Sequence, residues 1–152
     1  MIDFSILSEM FIRLTVAAIL GALLGLERTL AGKNAGVRTY ALVSLGSALF
    51  VVISELVVIR YFNELRITLD PIRIASQVVV GIGFLGAGLI IFKEPRISGL
   101  TTAAGLWVVA GIGIATGFGF IALAGFATVL TFLVFTLLWL FEKKIKREPD
   151  EN

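Results

Sequence analysis

The chain alternates long apolar stretches with short charged ones. The first three apolar stretches cover about residues 10–26, 39–59 and 72–92, and charged residues separate them. A helix needs about 20 apolar residues to cross the roughly 30 Å hydrocarbon core of a bilayer. The pattern therefore predicts three transmembrane helices in this part of the chain.

A fourth apolar stretch is too long for a single crossing. No residue from 100 to 141 is charged, and one straight helix over this stretch would measure about 63 Å at about 1.5 Å per residue. Residues 116–119 include Gly117 and Gly119, and glycine adopts backbone angles that other residues avoid. We therefore predict two spans joined by a turn here, and about five transmembrane helices in all.

The composition is typical of an integral membrane protein. Of the 152 residues, 58% are hydrophobic and 16% are charged, and the mean hydropathy is +1.00. A soluble domain is about 45–50% apolar and about 25% charged, so a globule of this size has too little interior to bury the excess. These values exclude a soluble enzyme, a disordered chain and a nucleic-acid binder. They indicate an all-α helix bundle in contact with the lipid bilayer.

The sequence contains neither cysteine nor histidine. This removes the usual protein ligands of zinc, copper, haem and iron–sulfur clusters. It also leaves no Ser-His-Asp or Cys-His arrangement for nucleophilic catalysis. We therefore expect no catalytic residue, no metal site and no cofactor, and we expect that the protein is not an enzyme.

Basic residues lie mostly on one side of a five-span chain. That side collects nine of the 13 lysines and arginines: Arg28, Lys33, Arg38, Lys93, Arg96, Lys143, Lys144, Lys146 and Arg147. Because loops rich in these residues stay in the cytoplasm, we predict an outside amino terminus and a cytoplasmic carboxyl terminus. The start of the chain lacks the basic region of a signal peptide, so we expect the first span to be retained. Residues 1–141 then form a transmembrane domain and residues 142–152 a short charged cytoplasmic tail.

Small residues in the first two spans predict close helix packing. Ala17, Gly21 and Gly25 recur every four residues in the first span, a spacing that lets a second helix approach closely. That helix belongs either to the same bundle or to a second copy of the chain. One face of the second span mixes serines with larger residues: Tyr40, Ser44, Ser47, Val51 and Ser54. Serines at such positions mostly bond to their own helix backbone.

The third span has a well-marked start and an unusual face. Asp70 fits a helix N-cap and Pro71 fits the first helical position, while Arg73 is close enough to pair with Asp70. One helical face carries Arg73, Gln77, Gly81, Phe84 and Gly88. Polar residues in a span face protein rather than lipid, so we expect this face to point into the bundle. The helix-packing glycines predicted here are Gly81, Gly83, Gly86 and Gly88, and so many glycines could also bend the helix.

Three charged residues lie near the predicted membrane edges. Glu27 and Arg38 end adjacent spans on the same side, so their side chains could pair across the loop. Glu55 lies near the outer end of the second span. A carboxylate there either finds a protein partner or reaches the lipid headgroups.

The fourth span opens with hydroxyl residues. Ser98 fits an N-cap, and Thr101 and Thr102 follow it. The two threonines are either helix-capping residues or part of an anion site at the helix amino terminus. Capping is the commoner explanation for threonine at this position.

Five sequence blocks resemble the membrane domain of the MgtC/SapB family. They are Gly25-Leu26-Glu27-Arg28, the segment from Lys33 through Ala35-Gly36-Val37-Arg38-Thr39, Arg73-Ile74-Ala75-Ser76-Gln77, Gly81-Ile82-Gly83-Phe84-Leu85-Gly86-Ala87-Gly88 and Gly99-Leu100-Thr101-Thr102-Ala103-Ala104. The blocks occur in the family's order and the resemblance covers about residues 10–141. The polar positions that match the family are Glu27, Arg28, Lys33, Arg38, Asp70, Arg73, Gln77, Thr101 and Thr102.

The resemblance implies a multi-pass protein of the bacterial inner membrane. It implies a link to magnesium homeostasis, to growth at low magnesium and to virulence. It also implies a regulatory role, for example through binding to a membrane complex such as ATP synthase. Longer family members carry a soluble ACT-type domain after the last span, and this chain resembles a short member without that domain.

Two functions remain open at this point. A regulatory protein would bind a larger membrane complex through its small-residue helix faces. A small transporter or channel for magnesium or another small ion would need several copies around a symmetry axis. The spans hold few acidic side chains that could replace the water ligands of magnesium. We expect a homo-oligomer, with a dimer favoured, and no nucleic-acid partner.

Overall fold

The computed structural model describes residues 4–65, 70–93 and 96–145 of the chain. The helices are α1 Phe4–Leu30, α2 Val37–Leu65, α3 Pro71–Leu89, α4 Leu100–Gly117, α5 Ile121–Leu133 and α6 Trp139–Ile145. A π-helical segment, Val134–Leu138, joins α5 to α6. Two short strands, β1 Ile91–Lys93 and β2 Arg96–Ser98, pair as an antiparallel hairpin between α3 and α4.

In the part of the chain that the structure describes, five helical segments are long and apolar enough to cross a membrane, which confirms the predicted helix bundle. They are Phe4–Leu30, Val37–Tyr61, Ile72–Leu89, Leu100–Gly117 and Ile121–Phe141. The turn between the last two lies where the glycines predicted it, because α4 ends at Gly117 and Gly119 has a φ of 82°. The orientation of the termini stays a prediction.

The core forms around α2, which lies between α1 and α4. Tyr40, Ser44 and Val51 of α2 are each 0% exposed, and they lie on the face predicted from the sequence. Ser47 and Ser54 on this face donate hydrogen bonds of 2.8 and 2.7 Å to carbonyls of the preceding helical turn. These bonds satisfy the hydroxyls within the helix, as expected of serines in a span.

Glycines bring α1 and α2 into backbone contact. A Cβ atom added to Gly25 would lie 2.6 Å from the Cα atom of Val37, and one added to Gly21 would lie 2.8 Å from the Cβ atom of Ser44. A larger residue at either position would push the helices apart. Of the two alternatives for this glycine face, the structure therefore shows contact within the bundle.

Glycines of α4 contact the opposite side of α2 in the same way. A Cβ atom added to Gly113 would lie 2.9 Å from the Cα atom of Ser44, and one added to Gly117 would lie 2.8 Å from the Cβ atom of Val51. Ser44 therefore lies between Gly21 of α1 and Gly113 of α4. This arrangement makes α1, α2 and α4 a tightly packed three-helix core.

α3 lies outside this core and packs mainly against α4. Its buried residues are Ala75, Ile82 and Gly86, and a Cβ atom added to Gly86 would lie 3.8 Å from the Cβ atom of Ala103. The face predicted to point inward is exposed instead: Arg73, Gln77, Gly81, Phe84 and Gly88. That prediction is wrong for the single chain.

The shape and charge of α3 explain this orientation. Ala75 and Gly86 are small and fit against α4, whereas Phe84 on the other face is large and 82% exposed. Arg73 lies in the first turn of the helix, where a long basic side chain can reach the headgroup level from the membrane edge. α3 is also one continuous helix, so its glycines do not interrupt it.

One of the two helix caps predicted from the sequence is present and the other is not. Asp70 caps α3 as predicted, because its carboxylate accepts a 2.9 Å hydrogen bond from the backbone N–H of Ile72. The predicted Ser98 cap is wrong. Ser98 lies in β2, where its hydroxyl donates to the carbonyl of Ile91 at 3.5 Å, and Gly99 takes the N-cap position. Gly99 has a φ of 92°, and no side-chain hydrogen bond from a described residue caps α4.

We expect Gly113→Ala to destabilise the protein and Gly111→Ala to leave its stability unchanged or raised. The methyl group at position 113 would meet the backbone of α2, at a cost of about 1–3 kcal/mol. The space beside Gly111 is open, and alanine favours a helix over glycine by roughly 1 kcal/mol. Thermal unfolding of both variants in one detergent, followed by circular dichroism, measures the difference. Equal melting temperatures would contradict the close contact between α2 and α4.

Candidate functional site

Polar residues of the described bundle lie mainly in three places. We call the end that carries the α1–α2 loop and the hairpin the basic end, and the end that carries the α4–α5 turn the far end. A small pocket lies at the basic end, a long groove lies between α2 and α3, and a charged network lies at the far end. The positions that match the family lie mostly at the first two.

The basic-end pocket is built around Arg28 of α1. The guanidinium carbon of Arg28 lies 3.7 Å from the centre of the Phe135 ring, and its Nε donates a hydrogen bond to the carboxylate of Glu27. Both contacts stabilise a cation that is only 3% exposed. Lys33 and Thr101 line the same pocket, which has a volume of about 160 Å³. The fold therefore brings together four of the predicted positions, Glu27, Arg28, Lys33 and Thr101.

Thr102 has a structural position beside this pocket. It is 5% exposed, and its carbonyl accepts a 3.3 Å hydrogen bond from the hydroxyl of Tyr40. Gly105 leaves room for the Tyr40 ring, since a Cβ atom there would lie 3.3 Å from the ring carbon Cζ. The phenol is thereby paired inside the core, as a buried hydroxyl requires.

A groove of about 720 Å³ lies between α2 and α3. Gln77 and Gly81 of α3 line it together with Gly46 of α2, and Arg38 lies at its basic-end limit. The remaining lining residues are mostly apolar. We call this cavity the α2–α3 groove. It places Arg38 and Gln77, two of the predicted positions, on one lateral surface of the bundle.

The far-end network is centred on Arg13, which the sequence analysis did not single out. Its Nη1 donates to Glu55 at 2.7 Å and to the carbonyl of Gly117 at 3.1 Å, and its Nη2 donates to Glu9 at 2.5 Å. The Arg13 side chain is only 11% exposed. One arginine therefore ties α1 to α2 and to the end of α4. Of the two alternatives for Glu55, the structure shows the protein partner.

Two ion pairs predicted from the sequence do not form among the described residues. Glu27 pairs with its neighbour Arg28 instead of with Arg38, because the buried guanidinium needs a counter-ion and Arg38 is exposed. Asp70 and Arg73 form no side-chain ion pair within the described residues. The Asp70 carboxylate instead accepts the Ile72 N–H, and Arg73 is exposed.

The chain matches the MgtC family over residues 14–144. It belongs to this family. That membership confirms the resemblance carried by the five sequence blocks, and with the five apolar helices it identifies a multi-pass membrane protein.

Several curated relatives are similar to most of the chain. The putative magnesium transporter YhiD of Escherichia coli (strain K12) is 46% identical over 127 residues, which are 84% of this chain and 59% of that protein. Protein MgtC of Brucella abortus (strain 2308) is 47% identical over 123 residues, which are 80% of this chain and 48% of that protein. Protein SapB of Bacillus subtilis (strain 168) is 36% identical over 100 residues, with coverages of 65% and 43%.

The chain therefore spans between 43% and 59% of the length of these three relatives. No solved structure matches it significantly.

We expect Arg13→Gln and Glu55→Gln each to destabilise the protein, and the double variant to be no less stable than the weaker single variant. Arg13→Gln leaves Glu55 without its counter-ion, and Glu55→Gln leaves Arg13 with only the exposed Glu9 carboxylate, whereas the double change removes both charges of the pair. Unfolding of the four proteins under one set of conditions gives the coupling energy, which we expect to be about 1–2 kcal/mol for side chains in direct contact. Losses that simply add would contradict the far-end network.

Proposed function

We propose that this protein is a regulatory component of the bacterial inner membrane that acts in magnesium homeostasis. It works by binding another membrane protein through α3, without catalysing a reaction. The observation that carries the proposal is the exposed face of α3, which we call the α3 face. It consists of Arg73, Gln77, Gly81, Phe84 and Gly88, all of which the described part of the chain leaves exposed.

Gln77 is the residue of the α3 face that lipid accommodates least. It lies within the span Ile72–Leu89, and its side chain is exposed in the single chain. Transfer of an amide from water into an apolar medium costs roughly 2–7 kcal/mol of free energy when the amide finds no hydrogen-bond partner there. Polar side chains in spans accordingly face protein or a water-filled cavity. A neighbouring helix that offers a hydrogen-bonding group would satisfy Gln77.

Glycines on α3 leave space for such a helix. Nothing in the described chain lies within 4 Å of a Cβ atom added to Gly81, Gly83 or Gly88. Small residues let transmembrane helices approach until their backbones touch, as Gly25 does with α2 inside this bundle. Phe84 projects beside these glycines and would fill a hollow on the partner.

Relatives support the link to magnesium. The Escherichia coli relative is named a putative magnesium transporter, and the Brucella abortus relative carries the name MgtC. The family resemblance implies a regulatory role for this protein. The partner would be a larger membrane complex, of which ATP synthase is an example.

Transport by an oligomer is a second candidate function, favoured by the position of two polar residues on one face. Copies packed around a symmetry axis through α3 would bring their Arg73 and Gln77 side chains to a common pore. Amide oxygens from several copies would be suitable ligands for a partly hydrated magnesium ion. Phe84 lies on the same face and would narrow that pore with an apolar ring, so the exposed face favours binding over conduction.

We expect no magnesium flux from the purified protein in sealed liposomes. A magnesium-sensitive dye trapped inside reports entry, empty liposomes set the background, and an ionophore added at the end verifies that the vesicles hold a gradient. A flux above background that Arg73→Ala abolishes would contradict the regulatory function and favour the oligomeric transporter.

We expect Gly81→Leu to release the partner and Gly125→Leu to retain it. No other atom lies within 4 Å of a Cβ atom added to either glycine, so we expect both variants to fold, and Gly125 lies on α5 away from the α3 face. Extraction of native membranes in mild detergent, followed by sizing of the tagged protein, measures the assembly. Assemblies of the same size for both variants, at equal yield, would contradict docking through the α3 face.

A further inference from the structure

We propose that the basic-end pocket binds a phosphate group, and that its main source is the headgroup of an anionic phospholipid. The pocket lies between the end of α1, the start of α4 and the π-helical segment. Its volume of about 160 Å³ is several times the roughly 30 Å³ share of a water molecule in the liquid. A phosphate group therefore fits within it.

Arg28 supplies the main hydrogen-bond donors. Its Nε donates to the Glu27 carboxylate. The residue is 3% exposed and lines the pocket, and we infer that its two terminal nitrogens are available to a ligand there. A guanidinium fork matches two phosphate oxygens, so these nitrogens can bind one phosphate side by side.

The first turn of α4 reaches the pocket through Thr101, which lines it. Gly99 is the N-cap residue of this helix, and no side-chain hydrogen bond from a described residue caps it. Uncapped backbone N–H groups and the helix dipole attract anions. Of the two alternatives that the sequence left for Thr101, capping or an anion site, the absent cap favours the anion site.

Charge in and around the pocket also suits an anion. The Glu27 carboxylate offsets the charge of Arg28, and Lys33 in the α1–α2 loop adds a positive charge at the pocket wall. Glu27 does not line the pocket itself; it lines a separate cavity beside α5. A single phosphodiester charge would therefore meet a net positive site.

Apolar side chains at the pocket edge indicate a lipid as the source of the phosphate. Val134 and Leu138 line the pocket and are 52% and 54% exposed to the surroundings of the bundle. Trp139 lines it as well, and tryptophan is enriched at the membrane–water interface. A phosphate held by Arg28 would leave the acyl chains free to lie along this apolar edge. Basic pockets between transmembrane helices bind anionic headgroups in this way.

Native mass spectrometry of the full chain tests the proposal. The protein is released from detergent that contains equal amounts of phosphatidylglycerol and phosphatidylcholine. We expect one retained phosphatidylglycerol, and about fivefold less retention in Lys33→Gln, as one basic residue near an anionic lipid contributes. Lys144→Gln removes an exposed lysine that lies near the same end but outside the pocket lining, and we expect it to retain the lipid like the wild-type protein.

A second arm identifies the source of the phosphate and guards against misfolding. Inorganic phosphate is titrated against lipid-free protein to measure its affinity. The phosphate affinity of Thr101→Val is compared with that of the wild type once both are shown to have the same melting temperature. Phosphate binding without preference for phosphatidylglycerol would overturn the lipid as its source. Equal losses in Lys33→Gln and Lys144→Gln, or no adduct of either kind, would overturn the pocket itself.

Discussion

The close approach of three helices through glycine is the constraint on which the rest of the structure depends. Ser44, about two turns into α2, meets Gly21 on one side and Gly113 on the other, at distances that leave no room for a side chain. Lipid offers apolar surface as good as that of leucine, so helices in a bilayer associate through such close packing rather than through hydrophobic burial. The contact fixes α1, α2 and α4 relative to one another, and it thereby sets where the polar groups at both ends lie.

Charged groups at the two ends of this core make different contacts. At the far end, Arg13 satisfies two carboxylates and a helix-terminal carbonyl, so its charge is used within the fold. At the basic end, Arg28 is more deeply buried, donates to the Glu27 carboxylate and lies over the Phe135 ring. α3 stands beside the core with its polar and glycine-bearing face outward. α1, α2 and α4 therefore form the closely packed part of the bundle, and we propose that other molecules bind at α3 and at the basic-end pocket.

The sequence predicted those features that depend on local spacing. The five spans, the turn at Gly119 and the Asp70 cap follow from lengths and neighbours along the chain. The side of α3 that faces the bundle did not follow, because glycines occur on both faces and Gly86 packs inward while Gly81 faces out. Contacts between residues far apart in the sequence could not be predicted either, because Arg28 contacts Phe135 and Arg13 contacts Glu55 only after the helices pack. A signal for Arg13 existed, since an arginine inside an apolar stretch requires a partner.

We propose that another protein helix, and not lipid, covers the α3 face in the native membrane. A photoreactive amino acid in place of Phe84, irradiated in intact bacterial membranes, tests this directly because that side chain is 82% exposed in the single chain. We expect a discrete cross-linked product with a different membrane protein, and much less of it when the same group is placed at Phe126, an exposed position on α5. Adducts with lipid alone, or identical protein adducts from both positions, would contradict the proposed docking through α3.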